Sequence, residues 1–172
     1  ITRFVRWLID GGRRVRLVTG DRVDEGVVRA ILADLATQRP GLDPSQVIAE
    51  AATTQHELMR QLAGADAVVA TRYHNVLCAL KLGKPTLSIG YAAKNDVLMA
   101  GMGVGEFCQG AGTVDFDLLV EQFTTLERRS EQVRRTLAEH NRAATLRLEQ
   151  QFDALSAVLF PAEEPTAAGD TR

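Results

Sequence analysis

Hydrophobic and polar positions follow two different periods along the first 112 residues of the chain. Short apolar runs with the character of β-strands alternate with segments whose apolar positions recur every three or four residues, as in amphipathic helices. The pattern predicts helices over 2–9, from Asp24 to Pro40, 54–62, 73–82 and 95–102, and strands over 14–19, 46–49, 66–70, 86–89 and 106–108. Strands alternating with helices predict an α/β domain with a doubly wound parallel sheet.

A different pattern begins after residue 112. One apolar stripe runs from Phe116 to Leu126 and a second from Val133 to Leu159, each with a Glu/Arg-rich outer face. The apolar spacing is too irregular for a coiled coil, so we expect residues 113–160 to form a long C-terminal helical segment that packs on domain 1–112. Residues 161–172 lack apolar anchors and are expected to be disordered.

The domain pattern opens with a helix, whereas a doubly wound domain ordinarily opens with its central strand. We therefore expect the first strand of the domain to be missing, together with whatever precedes it.

Composition and charge narrow the function classes. The 172 residues are 45% hydrophobic and carry a net charge of −2, which provides no positive surplus for a nucleic-acid partner. No apolar run approaches the roughly 20 residues that cross a bilayer. The cysteines and histidines do not have the spacing of a metal site, so we predict no metal.

Positively charged side chains follow two consecutive predicted strands. Arg72 and His74 come after strand 66–70, and Lys94 comes after strand 86–89. The carboxyl ends of parallel strands share one edge of a sheet, where ligands bind. A helix N-terminus attracts anions, and an arginine binds a phosphate or carboxylate bidentately. The sequence therefore predicts an anion site at this edge.

Each residue near this edge also has a structural interpretation that the sequence leaves open. These are packing for Tyr73, turn closure for Tyr91, helix capping for Asn75, a solvated helix start for Lys94, and turn and cap roles for Asp21 and Asp24.

Taken together, ADAVVATRYHNVLCALKLGKPTLSIGYAAK resembles the C-terminal, donor-side half of the polysaccharide pyruvyl transferase family. The family pattern is an aspartate-led strand, Arg-x-His, a helix ending in Gly-x-Pro, a strand and Tyr-x-x-Lys. The chain matches it in order with Asp66, Arg72, His74, Gly83, Pro85, Tyr91 and Lys94. Tyr73 and Asn75 depart from it, because the family more often has an aliphatic and a small residue at these positions. The resemblance covers about residues 4–107.

The resemblance implies a Rossmann-like half of a two-domain, GT-B-like fold. Such enzymes transfer the enolpyruvyl group of phosphoenolpyruvate to a sugar of a polysaccharide or its lipid-linked precursor, forming a pyruvate ketal. In the implied mechanism His74 is the catalytic acid, and Arg72, Lys94, Tyr91 and Asn75 bind substrate. No cofactor or metal is required.

The implied partners are phosphoenolpyruvate, a saccharide acceptor and a missing N-terminal acceptor-binding domain, so this chain alone is expected to be inactive. The implied location is the cytoplasm, at the inner face of the membrane when polysaccharide assembly is membrane-bound.

Two other functions stay open. The first is the donor domain of a nucleotide-sugar-dependent GT-B glycosyltransferase, although the glutamate that such sites use for the ribose is missing, since the first acidic residue after Arg72 is Asp96. The second is a non-catalytic module that binds a partner or a glycan.

Overall fold

The computed structural model describes residues 1–161, apart from the side chain of Arg22. Residues 162–172, nearly all of the segment predicted to be disordered, lie outside the described residues. The helices are α1 Thr2–Asp10, α2 Glu25–Gln38, α3 Gln55–Ala63, α4 Tyr73–Lys81, α5 Ala93–Gly101, α6 Phe116–Arg128 and α7 Ser130–Leu159. The strands are β1 Val15–Thr19, β2 Val47–Ala51, β3 Val68–Ala70, β4 Thr86–Gly90 and β5 Cys108–Gly110.

All strand pairs that the structure describes are parallel. β1 pairs with β2, with Val15 opposite Val47, and β4 lies between β3 and β5. Within residues 1–161 no ladder joins β1 to β3, so the strands form two small sheets. The predicted α/β class, the parallel pairing and the long C-terminal helix are confirmed, and the architecture is consistent with a Rossmann-like fold. The predicted loss of a first strand stays a prediction.

Local sequence signals explain where the central helices begin and end. The capping box predicted for α3 is present: the Thr54 hydroxyl accepts a hydrogen bond from the Glu57 N–H, and the Glu57 carboxylate accepts one from the Thr54 N–H. After α4, Gly83 adopts a φ of 66°, a left-handed conformation that glycine tolerates without strain. The chain then turns directly into β4.

The core is built around β4, whose five residues are all buried. Its apolar Leu87 and Ile89 alternate with Thr86 and Ser88, whose hydroxyls are buried because each has a partner: Thr86 donates to the Lys84 carbonyl at 2.7 Å, and Ser88 accepts from Asn95 Nδ2. Helices α4, α5 and α6 contribute Val76, Leu80, Met99, Leu119 and Leu126 to the same cluster. The packing holds the carboxyl end of β4 firmly, so the loop that follows it has a defined position.

Two predicted details differ from the structure. The brief strand expected at residues 106–108 is found two residues later, because Phe107 is buried in the core and its carbonyl accepts the first bond from the Ser88 N–H. In α2 the sequence places Val27, Val28, Ile31, Leu32 and Leu35 at helical spacing, which predicts one apolar face, but only Ile31 and Leu35 are buried and Val27 and Leu32 are exposed. This helix therefore contacts the core by a narrower stripe than its sequence suggests.

The long helix α7 packs on the domain only through its beginning. Val133 and Leu137 are buried, and the Asn141 side chain donates a hydrogen bond of 2.9 Å to the Leu80 carbonyl. Farther along, Leu148, Phe152 and Leu155 are between 51% and 61% exposed. With 30 residues, α7 is about 45 Å long, so it extends past the surface on which it begins. The expected packing of residues 113–160 is therefore limited to the part before residue 142.

Replacing Leu137 with alanine should lower the free energy of unfolding by about 2–5 kcal/mol, because it removes a fully buried leucine. The matched variant Leu155→Ala removes the same atoms from an exposed position and should change stability by less than about 0.5 kcal/mol. Urea unfolding followed by circular dichroism measures both. Equal losses would show that the second half of α7 is buried in solution.

Candidate functional site

A cavity of about 650 Å³, here called the strand-end cavity, lies where β1, β3 and β4 end. The segment after β1 contributes four residues, the segment from the end of β3 into α4 contributes residues 71–75, and the segment from the end of β4 into α5 contributes four more. The residues from the first and last of these segments are Gly20, Asp21, Val23, Asp24, Tyr91, Ala92, Lys94 and Asn95. All five residues singled out in the sequence line this cavity: Arg72, His74, Asn75, Tyr91 and Lys94. Adjacent strand ends thus bring these side chains together.

Two helix N-termini open on the strand-end cavity without a side-chain cap. Helix α4 follows Arg72 and helix α5 follows Ala92, both in extended backbone, and neither residue caps its helix. In α3 and α6, by contrast, Thr54 and Asp115 accept hydrogen bonds from first-turn N–H groups. The first N–H groups of an uncapped helix are unsatisfied and carry a partial positive charge. The cavity is therefore suited to an anion.

The Arg72 guanidinium is held by a carboxylate from the loop after β1. Its Nε and Nη2 donate to the Asp24 carboxylate at 2.7 and 2.8 Å, and its Nη1 lies 3.6 Å from Asp21 Oδ2. Hydrogen bonds from Arg72 lower the pKa of the Asp24 carboxyl. The interpretation of Asp24 as a helix cap is wrong, because its side chain makes no cap bond to α2. Asp21 keeps its turn role, accepting a bond of 3.4 Å from the Val23 N–H.

Positive and negative side chains balance in the strand-end cavity. Arg72 and Lys94 face the same cavity as Asp21 and Asp24, so the formal charges of these four side chains cancel. The attraction for an anion therefore depends on the helix N-termini and on the side of the cavity that carries Lys94.

Tyr73 occupies the space between the other two cationic candidates. Lys94 Nζ lies 4.9 Å from the centroid of the Tyr73 ring, and that ring meets the His74 imidazole edge to face with centroids 5.7 Å apart. The sequence suggested packing as the role of Tyr73, whereas the structure makes it part of the cavity wall. Its place between Arg72 and His74 was the available signal. Tyr91, which is 79% exposed, forms the rim.

A glycine lets the loop after β1 approach the start of α4. A Cβ on Gly20 would come within 2.8 Å of both Arg72 Cδ and Asn75 Oδ1. The Asn75 amide therefore lies directly against the Gly20 backbone. Capping, the alternative role for Asn75, is not found, because α4 begins after Arg72 and Asn75 is its third residue.

The sequence did not single out Asn95, which supports the site from beneath. Asn95 is 2% exposed, and its Nδ2 donates long hydrogen bonds to the Thr71 carbonyl, at 3.4 Å, and to Ser88 Oγ, at 3.3 Å. These bonds connect the start of α5 to the loop after β3 and to β4. The only sequence signal for Asn95 was that it is a polar residue in the first turn of α5, on the face that packs on the core.

Comparison with known proteins identifies the class. The family model described as polysaccharide pyruvyl transferase matches residues 3–92, just over half of the chain. The chain belongs to this transferase family, which confirms the resemblance seen in the sequence. The match includes Arg72, His74, Asn75 and Tyr91 and ends two residues before Lys94. Neither the curated proteins nor the solved structures contain a match.

Among the helices of residues 1–161, none has both the length and the apolar composition needed to cross a membrane.

The Arg72–Asp24 pair predicts a pH-dependent stability. The pKa of Asp24 is lowered in the folded protein, so its charged form stabilises the fold above the ordinary value of about 3.9. This contribution is lost as the pH falls through the lowered value. Because both side chains are about one-third exposed, Asp24→Asn should cost only about 0.2–1 kcal/mol at pH 7, and this cost should shrink as the pH falls through the lowered pKa of Asp24.

Urea unfolding at several pH values measures this difference. The control Asp153→Asn changes a carboxylate on the exposed part of α7 and should match the unchanged protein throughout. A cost for Asp24→Asn that does not fall as the solution is made more acidic than pH 7 would contradict an ionic contribution.

Proposed function

We propose that the strand-end cavity binds phosphoenolpyruvate, and that the chain is the donor-side part of an enzyme that joins a pyruvyl unit to a sugar as a ketal. One observation carries the proposal: the uncapped N-termini of α4 and α5 open on the same cavity as Arg72, His74 and Lys94. Family membership supports the reaction class.

Phosphoenolpyruvate carries a phosphate and a carboxylate, and the cavity offers two kinds of partner for them. The phosphate is placed at the helix N-termini, with Lys94 as a counter-charge when the phosphate leaves. Asp24 already occupies Nε and Nη2 of Arg72, so the substrate carboxylate contacts Nη1. That atom makes only the looser contact of 3.6 Å with Asp21, which the substrate displaces. Asp24 thus orients Arg72 while leaving one donor group free.

His74 supplies the proton that starts the reaction. The imidazolium donates it to the methylene carbon of phosphoenolpyruvate, whose double-bond electrons form the new C–H bond. The adjacent carbon becomes an oxocarbenium-like centre that the first sugar hydroxyl attacks. Phosphate then leaves with the electrons of its C–O bond, and the second hydroxyl closes the ketal. One hydroxyl proton returns to His74, and the other leaves with phosphate or to solvent.

Positioning and electrostatics are sufficient for this chemistry, so the proposal includes no cofactor and no metal. The remaining partners are a saccharide acceptor and an N-terminal domain that binds most of it. Without that domain the chain alone is inactive. The proposed location is the cytoplasm, at the inner face of the membrane when the acceptor is lipid-linked.

In a protein that includes the acceptor-binding domain, His74→Asn should lower the transfer rate by about 10²- to 10⁴-fold, because a general acid is removed. The dissociation constant of the His74→Asn variant for phosphoenolpyruvate should change only a few-fold. Arg72→Ala should act mainly on binding. It should weaken phosphoenolpyruvate binding by about tenfold or more, because a charged hydrogen bond is lost. Phosphate release and calorimetric titration measure the two quantities.

The control is His56→Asn, which changes an exposed histidine of α3 outside the cavity. It should leave rate and binding unchanged. An active His74→Asn enzyme would refute the assignment of the acid.

A nucleotide-sugar glycosyltransferase is distinguished by direct titration. We expect phosphoenolpyruvate to bind more tightly than uridine diphosphate, because the sequence has no acidic residue between Arg72 and Asp96 and the Asp24 carboxylate in the cavity is paired with Arg72. Amide shifts in two-dimensional NMR spectra of the chain, recorded with each ligand, measure the preference. Tighter binding of the nucleotide would reverse the proposal.

A further inference from the structure

A second cavity, of about 270 Å³, lies beside the first one and is here called the side cavity. It is located between the ends of β1 and β2 and the beginning of α3. Three residues line both cavities: Gly20, His74 and Asn75. His74 therefore lies where the two cavities meet.

The side cavity is unsuited to an anion. Apart from His74, none of the described residues that line it has an ionisable side chain. The helix that begins there, α3, is capped, and the Glu57 carboxylate accepts hydrogen bonds from the N–H groups of Thr53 and Thr54 at 2.9 and 3.2 Å. Hydrogen bonds from Thr53 lower the pKa of Glu57, so a negative charge stays at this N-terminus. This carboxylate neutralises the partial positive charge at the N-terminus of α3, whereas the N-termini of α4 and α5 keep theirs.

Uncharged polar groups of the side cavity lack partners. Thr19 is only 8% exposed, and its hydroxyl makes no hydrogen bond within residues 1–161. The Asn75 amide likewise has none in the described part of the chain. Gln55 Nε2 donates to Cys78 Sγ at 3.3 Å, whereas the side-chain oxygen of Gln55 accepts no hydrogen bond among these residues. Threonine, asparagine and glutamine side chains both donate and accept hydrogen bonds, so these groups are suited to the hydroxyl groups of a ligand.

We infer that the side cavity receives the hydroxyl-bearing edge of the acceptor sugar. The inference rests on the proposed function, and it adds a contact that the donor-side half itself makes with the acceptor. A sugar here and phosphoenolpyruvate in the strand-end cavity lie on either side of His74. The imidazole that gives its proton to the methylene carbon is then placed to take a proton from the attacking hydroxyl. One side chain thereby serves both transfers.

NMR titration of the 172-residue chain with methyl glycosides of glucose, galactose, mannose and N-acetylmannosamine tests the inference. At least one glycoside should shift the amide signals of Thr19, Thr53 and Gln55. Thr19→Val keeps the shape of the side chain but removes the hydroxyl, and it should weaken glycoside binding about fivefold, the value of one hydrogen bond. Thr19→Ser keeps the hydroxyl and should retain binding.

The control Thr37→Val removes a hydroxyl on α2 that bonds only to the Ala33 carbonyl, and it should leave glycoside binding unchanged. Phosphoenolpyruvate, added separately, should shift Tyr73 and Lys94. If it does and no glycoside shifts the side cavity, the inference is overturned while the proposed function stands. If phosphoenolpyruvate shifts neither residue, the proposed function fails. If uridine shifts Thr53 and Gln55 in place of the glycosides, the side cavity belongs to a nucleotide and the inference is overturned.

Discussion

The contact between Arg72 and Asp24 is the interaction on which the site depends, because it connects two sheets that share no backbone ladder in the described residues. Asp24 comes after β1 of the two-stranded sheet, and Arg72 comes after β3 of the three-stranded one. Both side chains are about one-third exposed, so the pair contributes little to stability. Its bidentate geometry instead fixes the direction of the guanidinium. Gly20 makes the approach possible, since any larger residue there would collide with Arg72 and Asn75.

Helix capping divides the carboxyl edge of the sheets into two regions of different chemistry. Helices α4 and α5 begin without side-chain caps, and residues of their first turns line the strand-end cavity. Helix α3 begins with a complete capping box, so its donors are used and a carboxylate stands beside them. A helix N-terminus thus attracts negative charge in the strand-end cavity, whereas the one at the side cavity is neutralised by a carboxylate. His74, at the start of α4, lies between the two regions.

Rigidity beneath the site comes from polar and apolar packing together. β4 is buried along its length, and Asn95 joins its Ser88 hydroxyl to the loop that carries Arg72 and His74. Gly90 allows this, because a Cβ at that position would come within 2.9 Å of Asn95 Cβ. The segments that carry Arg72, His74 and Lys94 are therefore held by a strand that is buried along its whole length. At the opposite extreme, the second half of α7 leaves its apolar side chains exposed.

The sequence by itself determined the alternation of strands and helices, the capping box of α3, the turn at Gly83 and the family. It also indicated that residues after β3 and β4 share an edge, because neighbouring parallel strands end on the same side. These properties follow from periodicity and local hydrogen bonding, which a few adjacent residues decide. Only the tertiary structure decided that Asp24 pairs with Arg72 across 48 positions, that Tyr73 faces the cavity, and that α7 is buried only at its beginning. Each of these outcomes depends on which surface, distant in sequence, lies opposite a side chain. The hydrophobic and polar pattern of one element does not record how close another element packs against it.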